Sequence, residues 1–138
     1  MSLNSIFNIA GSAMSAQSIR LNTTASNMAN AETLAGSADK IYRAKEPVFS
    51  TILKNGIAEN DTAGGVKVVN IVESQAPAQK RFEPGNPIAD DNGYVYSSNV
   101  NVIEEMANMI SASRAYQDNV EIMSTVKQMM MSTLKLGQ

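Results

Sequence analysis

Read from Val102 in alternating steps of four and three, the chain lines up Val102, Met106, Met109, Ser113, Tyr116, Val120, Met123, Lys127, Met130 and Leu134. Eight of these ten side chains are apolar, a heptad seam sustained over more than four repeats. The spacing predicts one long helix. Asn101 can accept from an early backbone N–H while Glu104, three residues on, reaches back, which marks the start. Gly137 suits a left-handed stop, so the helix should run about 35 residues and roughly 50 Å. A second stripe, Ala115, Ile122, Val126, Met129 and Leu136, lies about 100° around from the first. Between Met106 and Leu136 the charges are few: Arg114, Asp118, Glu121, Lys127 and Lys135. A helix that is apolar on two faces packs against more than one neighbour.

A second helical pattern opens the chain. Leu3, Phe7, Ala10, Met14, Leu21, Met28 and Ala31 share one stripe, which Gln17 and Thr24 complete with polar side chains. Arg20 is the single charge in residues 1–31. Most other positions there are small or neutral-polar, indifferent helix formers that let helices approach closely. A membrane-surface helix would carry Lys or Arg along its polar face, and this one does not. Chain ends are usually frayed and charged. Two nearly uncharged helical ends point instead to burial against other copies or other chains, with the first segment ordering as neighbours surround it.

The middle reads differently. Residues 32–98 hold all four Pro and six of the eight Gly, with short strand-like runs at Tyr42–Phe49, Val66–Val72 and Tyr94–Tyr96. Turn signals separate them at Asn55-Gly56, Gly64-Gly65, Pro84-Gly85-Asn86-Pro87 and Asp91-Asn92-Gly93. The expected fold is mainly α with a small β-rich insertion. An N-terminal axial helix (1–31) and a C-terminal axial helix (99–138) form a coiled-coil-like stem, and a β-rich, irregular middle segment (32–98) joins them.

Composition narrows the function. Aromatic residues make up 5% with no Trp, thin for a compact core, and nine Met take up part of the deficit. A net charge of −2 gives no case for nucleic acid. Zero Cys removes thiolate chemistry, and zero His removes the commonest general base and metal ligand. No basic leader precedes an apolar run, and no stretch of about 20 apolar residues could span a bilayer. Asp90-Asp91-Asn92-Gly93 lacks the spacing of a Ca²⁺ loop and reads as a β-turn. Glu104 and Glu105 point some 100° apart on a helix and read as cap and first-turn charge rather than as an acid pair. No cofactor, metal or small-molecule substrate is expected. Three functional classes remain: a structural assembly subunit, a soluble helical adaptor, and an enzyme with an unrecognised carboxylate site. The want of flanking Lys and Glu on the first helix favours the assembly subunit over an independent coiled coil.

The stretch Ala25-Ser26-Asn27-Met28-Ala29-Asn30-Ala31-Glu32-Thr33 resembles the N-terminal signature of bacterial flagellar rod and hook proteins, with Asn27, Ala29, Asn30 and Thr33 carrying the match. Gly36 comes slightly late for that signature. Ile9–Ala13, Tyr42-Arg43-Ala44-Lys45, Gly64–Val68, Glu83–Pro87, Asn92–Val95, Ser111–Gln117 and Thr133–Gln138 are similar to proximal-rod members of the family. One departure is Ser97-Ser98, where a Pro would be expected before Asn99. The resemblance implies a tubular assembly with both terminal helices in its core. The implied partners are other copies, other rod proteins, the rod's junction with the membrane-embedded ring, and the flagellar type III export apparatus. It implies a place in the basal-body rod across the periplasm, reached without a cleaved leader. No catalytic or cofactor residue is implied. The candidate packing residues are therefore Leu3, Phe7, Ala10, Met14, Leu21, Met28, Val102, Met106, Met109, Tyr116, Val120, Met123, Val126, Met129, Met130 and Leu134.

Overall fold

The computed structural model describes residues 3–52 and 64–136. Helix α1 (Leu3–Ala29) leads to a two-residue strand β1 (Leu34–Ala35), then β2 (Lys45–Ile52), β3 (Gly65–Glu73), β4 (Gln79–Phe82), β5 (Tyr94–Ser97) and helix α2 (Val102–Leu136). Two terminal helices with a small β-rich middle is the architecture the sequence pattern implied. The turn expected at Asn55-Gly56 and the helix stop expected at Gly137 lie outside the described residues.

The Asn101 half of the capping expectation for α2 holds at its first turn. Asn101 Oδ1 accepts from the backbone N–H of Ile103 at 3.1 Å and of Glu104 at 3.5 Å, and the Asn101 carbonyl takes the Glu105 N–H at 3.0 Å. Glu104 and Glu105 sit in that first turn, where negative charge complements the helix dipole. At the other junction α1 ends in the family signature. The Asn30 N–H reaches back to the Ser26 and Asn27 carbonyls, and the Asn30 carbonyl accepts the Thr33 hydroxyl at 2.8 Å and the Thr33 N–H at 3.2 Å. The signature is a helix stop folded into a tight turn.

The helices pack against each other in opposite directions. Asn27 meets Glu105, and Arg20 meets Asn108, so residue numbers fall along α1 as they rise along α2. Small and polar residues form the seam: Ser5, Ala10, Ala16, Thr23, Thr24 and Asn27 are buried on α1, and Glu105, Ala112 and Val126 on α2. Such residues let helix axes come close, at the expense of apolar area.

Strands β2 and β3 form an antiparallel hairpin whose register shifts between Val48 and Phe49, leaving Val69 unpaired in a bulge. The hairpin lies along α1. Ser12 Oγ donates to the Ile9 carbonyl and accepts the Val66 N–H at 3.2 Å, and a Cβ on Gly65 would stand 2.9 Å from that same Oγ. The second sheet, in the order β1-β5-β4, is antiparallel throughout, with Val95 fully buried in its central strand. The core is small, and its larger buried side chains are Ile41, Val95 and Val100.

Sequence reasoning placed α1 against other copies or other chains because it is nearly uncharged. In the structure α1 is helical over 27 residues within the single chain, lined on one side by α2 and crossed by the hairpin. The seam it buries is its Ser, Ala and Thr stripe, which needs little covering area.

The Asp90 motif is a turn. The Gly93 N–H donates to the Asp90 carbonyl at 2.8 Å, and Gly93 takes the positive φ of 79° that favours glycine. Asp90 Oδ1 accepts the Asn92 and Tyr94 N–H groups at 2.9 and 2.8 Å. Chiefly the Tyr94 bond, then the Asn92 bond, the Tyr96 hydroxyl and nearby Lys80, hold the Asp90 carboxyl below its ordinary pKa against the opposing pull of desolvation.

Candidate assembly surface

Asn27 sits at the meeting point of stem and middle unit. Only 1% of it is exposed. Its Nδ2 donates to the Lys45 carbonyl at 2.8 Å and to Glu105 Oε1 at 2.8 Å. Its Oδ1 accepts from the Lys45 N–H at 2.9 Å and the Tyr42 hydroxyl at 2.9 Å. One residue earlier, the Ala44 N–H donates to Asn99 Oδ1 at 2.8 Å, and Asn99 Nδ2 donates to the Ala76 carbonyl at 2.9 Å. Buried polar groups this completely partnered hold their elements in one arrangement. Sequence reasoning named Asn27 through its signature and Glu105 as a first-turn charge, but did not pair the two. Tyr42, Asn99 and Lys45 it missed as members of a joint, because the contacts that make it span 15 to 78 residues of chain.

Ser98 stands where the family resemblance led one to expect Pro. Its N–H donates to the Thr33 carbonyl at 3.4 Å, a bond no proline could make, and its hydroxyl accepts the Val100 N–H at 3.2 Å. The serine ties the end of β5 to the turn after α1.

The outward surface is apolar along the stem. On α2, Val102, Met106, Tyr116, Val120, Met129 and Leu134 are exposed, while Met109, Met123 and Met130 are half-buried. Leu134 is 69% exposed and Ile103, which the seam did not include, is 80%. Ile110, Ile122 and Met131 extend the same surface. On α1, Phe7 is exposed and Leu3, Met14, Leu21 and Met28 are half-buried. Two candidate packing residues, Val126 at 4% and Ala10 at 3% exposure, are enclosed by the chain's own stem. The physical reason is phase: the stripe facing α1 is Glu105, Ala112, Asn119, Val126, one heptad apart, and most of the large apolar seam lies to its sides. Of the signature residues, Ala29 is exposed and Asn30 and Thr33 are half-buried in the turn.

Among the described residues no group of three or more acidic, Cys or His side chains could hold a metal ion, and no helix is long and apolar enough to cross a membrane. An open, polar groove of about 670 Å³ runs between α1, α2 and β2, lined by Arg20, Lys45, Glu46, Asn99, Glu105 and Asn108. It brings charges of both signs together.

Two family models match the chain at its two ends. The one described as flagella basal body rod protein covers residues 7–34, and the one described as flagellar basal body rod FlgEFG protein C-terminal covers residues 91–136. Over all 138 residues, and the whole of each relative, the chain is 54% identical to the flagellar basal-body rod protein FlgC of Salmonella typhimurium (strain LT2) and to that of Escherichia coli O6:H1. The chain belongs to the FlgC family of flagellar basal-body rod proteins. The FlgC of Buchnera aphidicola subsp. Schizaphis graminum is 47% identical, again over the whole of both chains. FlgC proteins are structural subunits of the rod, not enzymes, and they work in the basal body among other rod proteins. The two family models take in α2 and most of α1, with Asn27, Asn99 and Glu105, and leave out the β2–β3 hairpin.

Proposed function

We propose that this chain is a proximal-rod subunit whose stem packs into a tubular drive shaft, carries motor torque and encloses an export channel. In this reading residues 1–31 and 99–138 form the axial layer and residues 32–98 an outer layer. The packing residues are Leu3, Phe7, Met14, Leu21 and Met28 on α1, and Val102, Met106, Met109, Tyr116, Val120, Met123, Met129, Met130 and Leu134 on α2. One observation carries the proposal: α2 leaves large apolar side chains on both flanks of the stripe that faces α1, with few charges between them. A monomer has no use for such a surface, and scattered exposure would not line up along one helix. Torque loads subunit contacts in shear, and interdigitated Met, Ile, Leu and Val resist slip because close-packed interiors barely compress. Delivery through the flagellar type III apparatus, a position across the periplasm and a junction with the membrane ring complete the proposal.

Leu134→Asp tests it. The side chain is mostly exposed in the single chain, so the variant should keep its melting temperature within a degree or two while its incorporation into rods falls at least tenfold. Normal incorporation would overturn the packing role of α2.

A further inference from the structure

The carboxamide of Asn27 does for Lys45 what a neighbouring strand would do. It accepts the Lys45 N–H and donates to the Lys45 carbonyl, at 2.9 and 2.8 Å, the two-bond exchange of a hydrogen-bonded antiparallel pair. Its second hydrogen goes to Glu105 and its second lone pair to the Tyr42 hydroxyl, so all four bonding positions of the amide are used. Asn99 holds the Ala44 N–H, and the Ala44 carbonyl accepts the Ser74 N–H at 2.8 Å. Every main-chain polar group of Ala44 and Lys45 is therefore engaged, by α1, by the segment after β3 and by the segment before α2. These two residues are the base of the hairpin.

Between the two helices the apolar burial is slight. The residues buried on their facing sides near here are Thr23, Thr24 and Ala112, whose small side chains look much alike one turn up or down a helix. Such surfaces define neither a register nor an angle, whereas hydrogen bonds have direction. Sliding α1 by one turn against α2 would leave the buried Glu105 carboxylate and the Lys45 carbonyl without donors, and that is a discrete loss rather than a gradual one.

We infer that Asn27 is a positioning residue: its amide sets the register of α1 against α2 and the direction in which the β2–β3 hairpin leaves the stem, so that hairpin and stem turn as one body. A buried polar group fixing register is an attested device in helical assemblies. Here the same group also fixes a sheet.

The chain has no cysteine, so thiols introduced at exposed Ser111 on α2 and exposed Lys67 on β3 can be spin-labelled specifically in the full chain. Pulsed electron resonance then reads the distance distribution between stem and hairpin, and circular dichroism reads the fold. Glu105→Gln keeps an acceptor for Asn27 and should leave the distribution as narrow as in the parent. Asn27→Asp sets a carboxylate against Glu105 and the Lys45 carbonyl, and should at least double the width while the helix signal persists. Adding Glu105→Gln to Asn27→Asp supplies a new amide donor to the new carboxylate and should restore most of the narrowing. A folded Asn27→Asp chain with an unchanged distribution would overturn the inference. Should Asn27→Asp alone fail to fold, the double variant decides: recovery of fold and narrow distribution supports the inference, and no recovery overturns it. The measurement concerns the single chain, so its failure leaves the assembly proposal standing, and a failure of rod incorporation leaves this inference untouched.

Discussion

At Gly36 a Cβ would stand 2.5 Å from the carbonyl oxygen of Ile88, a main-chain atom held in the loop between β4 and β5. No rotamer change relieves that contact. The glycine looked displaced within the family signature, yet its position follows from the path of β1 past residue 88. Gly36→Ala should destabilise the chain by about 1–3 kcal/mol, since something in the backbone has to move. Gly85→Ala is the control, because nothing lies within 4 Å of its Cβ position. Thermal melts of the two variants make the comparison, and equal melting temperatures would show that the loop yields freely. The same reasoning explains why Asn27 was legible only as a motif. Its chemistry depends on Glu105 and Lys45, far apart in the chain, and no local pattern announces them.

Elements were legible in proportion to how far local periodicity determines them. α2 follows from a 3.6-residue pattern with Asn101 at its start, and the observed helix runs from Val102 as that pattern requires. β2, β3 and β5 follow from runs of β-branched and aromatic residues, with ends shifted by up to three residues. β1 and β4 were missed. Leu34–Ala35 is two residues long, and Gln79–Phe82 is polar but for Phe82 and exposed at all four positions; both are strands only because β5 offers each an edge. The phase of the stem was also missed. The heptad seam is not the stripe that faces α1, which is set by Ala112, Glu105 and the small residues of α1. Gly11 belongs to this question. It lies within α1 with nothing inside 4 Å of its Cβ position, so the single chain has no steric use for it. Gly11→Ala should stabilise that chain by about 1 kcal/mol through helix propensity, raising its melting temperature by about 4 °C. If α1 meets a neighbour closely there, the same variant should reduce rod incorporation. A more stable chain that incorporates normally would mean that no helix approaches at Gly11.

At the scale of the whole molecule the stem has two unlike ends. The joint end is dense with directional bonds: Asn27 to Glu105 and Lys45, Asn99 to Ala44, Ser98 to Thr33, and the three-stranded sheet around Val95. Among the described residues the far end of α2 is exposed. Counting from the Asn27–Glu105 contact, the first residue of α1 lies opposite about Met129 by the equal rise per residue of two antiparallel helices. Val126 is the last buried residue of α2, and from Lys127 to Lys135 every described side chain but the half-buried Met130 is exposed. Helical hydrogen bonds without packed side chains open easily. Hydrogen exchange of the dilute chain should therefore show amides of residues 127–135 exchanging on the order of 100-fold faster than those of residues 105–126, a gap of about 2.7 kcal/mol in opening free energy. In assembled rods the gap should close, because neighbouring chains would cover Met129, Met131 and Leu134. Equal protection of the two stretches in the dilute chain would mean that the distal turns are stable without partners. The exposed apolar flank would then lack the energetic reason to recruit a neighbour that the assembly proposal assigns to it.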